Sequence, residues 1–361
     1  MSWREHLRPV IYDLTAYRTF DYAGAPSDLV RLDANESSIP EDDADRAALS
    51  EALARVSVHR YPEVSGRPLR EALAARWGVS PDQVILGNGS DEIIAILLTA
   101  FGGGRDGKRA KVLFPTPTFG EYEGIALTHG VEPVGVPLDG RFQLDEAALA
   151  EAVRREAPAL TFFATPNNPT GNRFDAGAME RLARVGGGLT VVDEAYADFD
   201  GATMLGRVGE VPGLCVMRTL SKIGMAALRV GALVAPADLA HELDKVRLPY
   251  NVNTVSQALA IAVLERGERL AEKIALGAAA RRALEAGLRE LPGLTVYPSD
   301  SNFVLVRTPG DAKRIWERLL ERRILVRNLS RPGPLENCLR ITAGTPQENE
   351  KCLEALRAAL Q

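Results

Sequence analysis

Lys222 stands in a stretch whose residue types suit phosphate binding and covalent chemistry at an amine. It follows the apolar run 214–217 and is flanked by the hydroxyls of Thr219 and Ser221, with Arg229 seven residues further on. Hydroxyls and a guanidinium can together hold a dianionic phosphate, which leaves the amine free to form a covalent bond. An isolated lysine after a strand is more often a solvated surface charge, so the interpretation depends on these neighbours. They favour a site for an aldehyde cofactor that carries a phosphate group.

A second signal for phosphate is the segment 86–92, which reads Leu-Gly-Asn-Gly-Ser-Asp-Glu. Ser90 is predicted to cap a helix that runs from residue 92 to residue 101. The free backbone amides that follow Gly89, including that of Asp91, would lie at the positive end of the helix dipole. An ordinary capped turn explains the segment equally well, because the third glycine of a dinucleotide fingerprint is absent.

Four further residues suit a heteroaromatic ring. Phe119 offers a flat face for stacking, and Asn168 offers an amide donor at a fixed position between prolines. A core phenylalanine and an Asn-Pro turn are the alternatives for these two. Asp193 ends an apolar strand, where a carboxylate is costly unless it meets a cation such as a protonated pyridine nitrogen. Tyr196 follows three residues later and can reach a ring oxygen from the same edge.

An α/β fold is predicted to bring these segments together. Short apolar runs alternate with helical patterns from about residue 67 to about residue 235, which indicates βα units and a mainly parallel, seven-stranded sheet. Strands are predicted at 83–86, 111–114, 131–136, 160–164, 189–192, 214–217 and 230–234. Open parallel sheets bind ligands beyond the carboxyl ends of their strands, and most of the segments above lie there.

The chain is predicted to divide into three parts. Residues 1–45 form an N-terminal arm and the start of a small domain, residues 46–250 a large domain, and residues 251–361 a small α+β domain with strands at 294–297, 303–307 and 339–342. The segment 23–45 is rich in proline and aspartate, which suits an arm around a neighbouring subunit better than a core element. A chain of 361 residues is long enough for one large and one small domain.

Composition excludes several classes of partner. The net charge is -5 and the basic residues are dispersed, so no nucleic-acid surface is expected. The N-terminus lacks an apolar signal core and no stretch reaches about 18 apolar residues, so we expect no membrane partner and a cytoplasmic location. The three cysteines and four histidines lack ligand spacing, so neither disulfides nor a metal site is predicted.

The order of these motifs resembles the fold-type I pyridoxal-phosphate aminotransferases, and most of all the histidinol-phosphate aminotransferase family. The resemblance rests on Gly-Asn-Gly-Ser-Asp-Glu, Pro-Thr-Phe, Pro-Asn-Asn-Pro-Thr-Gly, Asp-Glu-Ala-Tyr, Arg-Thr-Leu-Ser-Lys and Leu-Arg-Val-Gly. It extends to the segments 32–36, 60–62, 248–252, 301–306, 324–327 and 338–342, and so covers nearly the whole chain. It implies an aspartate aminotransferase-like fold and pyridoxal 5′-phosphate as the cofactor.

The resemblance also gives each residue a role. Lys222 would form the internal aldimine and move a proton in each half of a ping-pong reaction, while Asp193 would keep the pyridine nitrogen protonated. Asn168 and Tyr196 would bind the ring oxygen, and Phe119 would stack on the ring. The cofactor phosphate would be held by Gly89, Ser90, Asp91, Thr219, Ser221 and Arg229.

Two features of the resemblance concern the surroundings of the cofactor. Tyr61 matches the position that reaches the cofactor phosphate of the neighbouring subunit, so a homodimer with shared active sites is expected. Most relatives have eight residues from the lysine to the phosphate arginine, whereas Lys222 and Arg229 are seven apart. We therefore expect a tightened turn at Gly224 that keeps the same phosphate ligands.

Substrate choice rests on arginines near the C-terminus. Arg340 and Arg327 match two anion-binding arginines of the family, and a guanidinium fork suits carboxylate or phosphate. Tyr17 and Asn168 are expected at the same site, whereas Arg323 and Arg331 are expected in surface ion pairs. The resemblance implies amino transfer from histidinol phosphate to 2-oxoglutarate, a step of histidine biosynthesis that gives imidazole acetol phosphate and glutamate.

Alternatives remain open at this stage. An aromatic amino-acid aminotransferase or a phospho-amino-acid decarboxylase of the same fold would share every cofactor residue. A non-catalytic regulator of this fold would carry an added DNA-binding domain, and residues 1–30 are too few to form one.

Overall fold

The computed structural model describes residues 3–16, 20–104 and 107–361. Within these ranges the strands are β1 (Val30–Leu32), β2 (Val84–Asn88), β3 (Lys111–Thr116), β4 (Glu132–Pro137), β5 (Leu160–Ala164), β6 (Leu189–Asp193), β7 (Leu214–Thr219), β8 (Val230–Val234), β9 (Thr295–Val296), β10 (Phe303–Arg307), β11 (Ile324–Asn328) and β12 (Cys338–Thr342). The α-helices are α1 (Val10–Asp13), α2 (Asp43–Ala54), α3 (Arg67–Trp77), α4 (Ser90–Phe101), α5 (Glu121–Thr128), α6 (Glu146–Glu156), α7 (Ala176–Ala183), α8 (Ala237–Asp244), α9 (Thr254–Leu264), α10 (Gly267–Arg289), α11 (Ala312–Glu321) and α12 (Pro346–Ala359).

The larger of the two sheets in the described residues has seven strands. Its order is β2-β8-β7-β6-β5-β3-β4, and all neighbours are parallel except β8, which runs antiparallel to both β2 and β7. The predicted mainly parallel sheet of seven strands is therefore confirmed. Because β6 and β7 lie beside each other, Asp193 and Lys222 emerge from adjacent strand ends on the same edge of the sheet.

The central strands are apolar on both faces because helices cover both faces. Every residue of β5, β6, β7 and β8 is buried. On one face α4 packs Ile93 and Leu97 against the sheet, and on the other α7 packs Met179 and Leu182. Strand β4 is at the edge and is only partly buried, and its two prolines are tolerated there because an edge strand has a side without partners.

A second sheet of five strands has the order β1-β11-β12-β10-β9. Strand β1 is parallel to β11, and the other pairings are antiparallel. Helices α10, α11 and α12 contribute apolar side chains, such as Leu284, Leu319 and Leu356, to one core with this sheet. The three strands predicted at 294–297, 303–307 and 339–342 are confirmed.

One expectation for the second sheet was wrong. The segment 23–45 contains a core strand, since Leu32 is fully buried and β1 pairs with β11 of the same chain. Strand β11 was not predicted either. The first strand has only three residues with Arg31 exposed in the middle, and its stability comes from pairing with a segment nearly 300 residues away. The domain boundaries at residues 45 and 250 stay predictions.

Candidate active site

A cleft with an empty volume of about 1780 Å³ opens at the carboxyl edge of the large sheet and extends to the second sheet. The predicted residues that line it are Ser90, Asp91, Phe119, Asn168, Asp193, Tyr196, Thr219, Ser221, Lys222, Arg229, Arg327 and Arg340. They come from segments up to 250 residues apart in sequence. Tyr17 lies outside the described residues.

Lys222 is held in a tight turn directly after β7. A 3₁₀ turn at Ser221–Ile223 is followed by Gly224 with φ of 100°, then by a second 3₁₀ turn at Ala226–Leu228. A positive φ of this size is easy only for glycine. The turn leaves the Lys222 ammonium nitrogen 5.9 Å from the centre of the Tyr196 ring, inside the cleft.

The same turn brings Arg229 to the cleft although it lies only seven residues after Lys222. Its Nη2 donates to Asp91 Oδ2 at 3.2 Å. The Thr219 and Ser221 hydroxyl oxygens lie 2.9 Å from each other at the same end of the cleft. Hydroxyls, a guanidinium and the first amides of α4 are therefore gathered in one corner, which suits a phosphate dianion.

Glycines allow the backbone segments of this corner to lie very close together. Gly89 has φ of 85°, and a Cβ built on it would lie 2.4 Å from Arg229 Nη2. A Cβ on Gly231 in β8 would lie 2.5 Å from the backbone nitrogen of Ser90. The expected capping role of Ser90 was wrong, since Gly89 occupies the N-cap position and Ser90 is the first residue of α4. The Ser90 hydroxyl is therefore not used as a helix cap.

Asp193 ends β6 at the floor of the cleft and is 5% exposed. Its Oδ2 accepts a hydrogen bond from the Tyr122 hydroxyl at 2.6 Å, and its Oδ1 accepts one from the Ala195 amide at 3.1 Å. Burial raises the pKa of Asp193 to about 6, against the lowering effect of these two donors. A cation that enters the cleft would therefore stabilise the ionised form of this buried carboxylate.

Tyr196 and Asn168 each accept a hydrogen bond from a residue in or near the second sheet. Asn35 Nδ2 donates to the Tyr196 hydroxyl oxygen at 2.9 Å, so the Tyr196 proton is free to point elsewhere. Arg340 Nη1 donates to Asn168 Oδ1 at 2.7 Å, which leaves the Asn168 amide hydrogens available to a ligand. Both side chains thus have a donor that can serve an oxygen in the cleft.

Arg327 and Arg340 are directly opposite each other across β11 and β12, and both line the cleft. Like charges at opposed positions of a sheet destabilise it, unless an anion lies between them or close by. Arg340 also donates from Nη2 to the Asp33 carbonyl oxygen at 2.7 Å. The Arg327 side chain makes no hydrogen bond or ion pair within the described part of the chain. The pair therefore places two guanidinium groups, which can bind an anion, at the end of the cleft nearest the second sheet.

Several residues in or beside the cleft were not predicted as site residues. Asp33, Asn35 and Glu121 line it, and Tyr122 lies beneath Asp193. Burial and the charge of Asp91 raise the pKa of Glu121. The segment 33–36 belongs to the motifs that resemble the aminotransferase family. The sequence does not indicate, however, that Asn35 contacts Tyr196, which is 161 residues away.

Tyr61 lies outside this cleft. Its side chain is 80% exposed and stacks on Tyr250, with ring centres 4.6 Å apart. Among the residues that the structure describes, no helix is long and apolar enough to cross a membrane, and no three His, Cys, Asp or Glu side chains are grouped as a metal site.

This fold and cleft define the class of the protein. The chain belongs to the aminotransferase class I and II family, whose family model matches residues 27–356. It is 44% identical to histidinol-phosphate aminotransferase 2 of Nitrosococcus oceani over 98% of this chain and 96% of that protein. It is 43% identical to the histidinol-phosphate aminotransferase of Methylibium petroleiphilum over 94% of this chain and 92% of that one.

A solved structure shows the same likeness in three dimensions. The histidinol-phosphate aminotransferase of Sinorhizobium meliloti, determined in complex with pyridoxal 5′-phosphate, superposes with a TM-score of 0.86 and 27% identity. The superposition covers 98% of this chain and 97% of that one. The expected aspartate aminotransferase-like fold is therefore confirmed over nearly the whole chain.

Proposed function

We propose that this chain is a pyridoxal-phosphate-dependent aminotransferase that transfers the amino group of histidinol phosphate to 2-oxoglutarate, in histidine biosynthesis. The products are imidazole acetol phosphate and glutamate. Support comes from the full-length similarity to histidinol-phosphate aminotransferases. The observation that carries the substrate assignment is the opposed pair Arg327 and Arg340, because the proposed substrates carry a phosphate or two carboxylates.

The side chains of the cleft fit pyridoxal phosphate. Asp193 is a buried carboxylate whose hydrogen bonds come from two uncharged donors, so a protonated pyridine nitrogen would supply the missing cation. At the other end, Gly89 and Gly231 let Arg229 and strand β8 lie close to the first turn of α4, whose free amides suit a phosphate. Phe119 lines the cleft between these groups and can lie against the ring.

When bound, the cofactor supplies an aldehyde that accepts amino groups and a protonated ring that takes up negative charge from the substrate α-carbon. Lys222 would hold the cofactor covalently through its amine nitrogen, and after release by the substrate amine it would be the base that takes up and returns the substrate α-proton. Asp193 would pair with the protonated ring nitrogen, and Asn168 and Tyr196 would donate to the ring oxygen. Because the two substrates use the site in turn, ping-pong kinetics are expected.

Turnover with purified protein tests this proposal. Histidinol phosphate, phenylalanine and O-phosphothreonine would each be supplied with 2-oxoglutarate, and glutamate and carbon dioxide would be measured. We expect kcat/KM for histidinol phosphate to exceed that for phenylalanine by at least about 10²-fold, since a dianionic phosphate can accept hydrogen bonds from both arginines, whereas phenylalanine offers a single monoanionic carboxylate. A preference for phenylalanine, or carbon dioxide release from O-phosphothreonine, would reject the substrate assignment.

Arg340→Ala is expected to raise KM for histidinol phosphate by about 10- to 100-fold and to lower kcat less. The physical reason is the loss of charge-assisted hydrogen bonds to the substrate anion, each of which contributes about 1.5–3 kcal/mol. Steady-state kinetics would measure both constants. Arg331→Ala is the matched control, because Arg331 is exposed and lies outside the cleft. An unchanged KM in Arg340→Ala would remove the argument for substrate binding at this arginine.

The proposed active unit is a homodimer. Tyr61 and Tyr250 are both exposed and stack on each other outside the cleft, and their sequence neighbours Val58, Val64 and Leu248 are exposed as well. Tyr61 is stacked and exposed, so it can reach a neighbouring subunit's cofactor phosphate. Exposed apolar side chains in a group indicate an interaction surface. Sedimentation velocity is expected to give twice the chain mass, and a monomer at micromolar concentration would contradict the shared site. Cytoplasmic location stays a prediction.

A further inference from the structure

Tyr122 makes the closest side-chain contact to Asp193. Its hydroxyl donates to Asp193 Oδ2 at 2.6 Å, and both side chains are almost completely buried. The ring is fixed by neighbouring aromatic residues. It stacks on Phe162 at 4.7 Å between ring centres and meets Phe119 edge-on at 5.5 Å. The hydroxyl therefore has little freedom to turn away from the carboxylate.

The direction of this hydrogen bond is set by the two pKa values. Burial, followed by the charge of Asp193, raises the pKa of Tyr122 well above its usual value, so the phenol keeps its proton and acts as the donor. Burial raises the pKa of Asp193, and the hydrogen bond from Tyr122 lowers it. The other ionisable groups that act on this pair are Asp91, Lys222 and Tyr196. Tyr122 thus favours the ionised carboxylate at a place where burial opposes it.

The geometry also limits the orientation of the carboxylate. One oxygen is bonded to Tyr122 on α5 and the other to the Ala195 amide after β6. A carboxylate oxygen has two lone pairs, so each keeps one for a ligand. With both oxygens anchored, the remaining lone pairs have fixed directions in the cleft.

We propose that Tyr122 is a positioning residue that keeps Asp193 ionised and correctly oriented to bind the protonated ring nitrogen of the cofactor. This inference rests on the proposed function, since it concerns the same cofactor. It adds a role for a side chain that does not line the cleft and that lies 71 residues from its partner in sequence. The proposed role belongs to the hydroxyl group, because a phenylalanine ring at this position would pack in the same way.

Tyr122→Phe is the direct test, because it removes one hydroxyl and keeps the ring. The dissociation constant of pyridoxal phosphate from cofactor-depleted protein would be measured by equilibrium dialysis at pH 8. We expect it to rise about tenfold, and kcat to fall with little change in KM. Tyr297→Phe is the matched control, since it removes a hydroxyl that accepts from Arg307 at 3.1 Å and lies outside the cleft. The control is expected to leave cofactor affinity unchanged.

A second readout does not need the cofactor. Protein labelled with ¹³C at aspartate carboxyl carbons would be titrated by NMR without cofactor, and the Asp193 signal assigned by its absence in Asp193→Asn. The pKa of Asp193 is about 6 with Tyr122 in place. Since the hydroxyl lowers this pKa, we expect it to be measurably higher in Tyr122→Phe. An unchanged pKa together with unchanged cofactor affinity would overturn the proposal.

A double-mutant cycle separates this role from a packing role. If Tyr122 acts through Asp193, Tyr122→Phe in the Asp193→Asn background should change cofactor affinity less than twofold. An equal loss in both backgrounds would show that the hydroxyl serves packing and would reject the inference. Wild-type protein that binds no pyridoxal phosphate would instead reject the proposed function itself. Circular dichroism would establish that each variant is folded before it is compared.

Discussion

Lys222→Ala is expected to lower the rate of amino transfer by at least about 10³-fold while the protein stays folded. The substitution removes both the nitrogen that holds the cofactor and the base that moves the proton. The fold should survive because Lys222 lies in a turn at the cleft surface and is not part of a core cluster. Steady-state kinetics and urea unfolding would measure the two quantities.

Chemical labelling makes this prediction specific to one lysine. Borohydride reduction of the protein with pyridoxal phosphate should attach the cofactor to Lys222, and peptide mass spectrometry would locate it. Lys245→Ala is a suitable control, because Lys245 is exposed and paired with Glu242 at 2.6 Å outside the cleft. It should keep full activity. Label found on a different lysine, or substantial turnover by Lys222→Ala, would contradict the assigned mechanism.

The large sheet could be predicted because its signals are local. The central strands are buried on both faces, so each appears as a short apolar run such as residues 160–164 or 230–234, bounded by turn residues. The site residues could be placed together for a related reason, since parallel strands present their carboxyl ends at one edge. The structure places Asp193 and Lys222 at the ends of adjacent strands, as that argument requires.

Contacts that depend on tertiary packing could not be predicted in the same way. Tyr122 is fully buried and lies one helical turn from Phe119, a spacing typical of core residues. Its hydroxyl acquires a role only because α5 packs against the end of β6. Asn35 is similar, because its contact with Tyr196 depends on the second sheet, where Thr342 donates to Asn35 Oδ1 at 3.2 Å.

The wrong prediction that Ser90 caps helix α4 has a local explanation. Serine is a common N-cap residue, and the sequence offers it directly before two acidic residues. In the structure Gly89 takes the N-cap position with φ of 85°, a backbone conformation that other residues rarely adopt. The close approach of Arg229 to the helix start therefore accompanies the loss of the usual side-chain cap, which is the kind of local departure expected at a functional site.

Asp193→Asn is expected to abolish most activity and at the same time to stabilise the cofactor-free protein above pH 6. The loss of activity, about 10²-fold or more, follows because a neutral amide cannot keep a positive charge on the ring nitrogen. The gain in stability follows because burial makes the ionised carboxylate unfavourable, with a pKa raised from 3.8 to about 6. A functional group that weakens the fold is common in active sites.

The direction of the predicted change in stability follows from how the protonation of Asp193 depends on pH. Well below pH 3.8 the carboxyl group is protonated in both folded and unfolded chains, so Asp193 does not change the pH dependence of the free energy of unfolding there. Between the two pKa values of 3.8 and about 6 the folded state holds more protons, so stability falls as pH rises. Above pH 6 the loss is complete and amounts to about 3 kcal/mol at most, from about 1.4 kcal/mol per pKa unit.

Urea unfolding of the cofactor-free proteins at pH 4.5 and pH 8 would measure the effect. The difference between Asp193→Asn and wild type should be small at the lower pH and should approach about 3 kcal/mol at the higher. Asp238→Asn serves as the control, since that carboxylate is exposed and is expected to shift stability by less than about 0.5 kcal/mol. A difference that is the same at both pH values would mean that burial does not raise the pKa of Asp193. Adding pyridoxal phosphate should then stabilise wild type by mass action more than it stabilises Asp193→Asn, because the cation that offsets the buried charge enters with the cofactor.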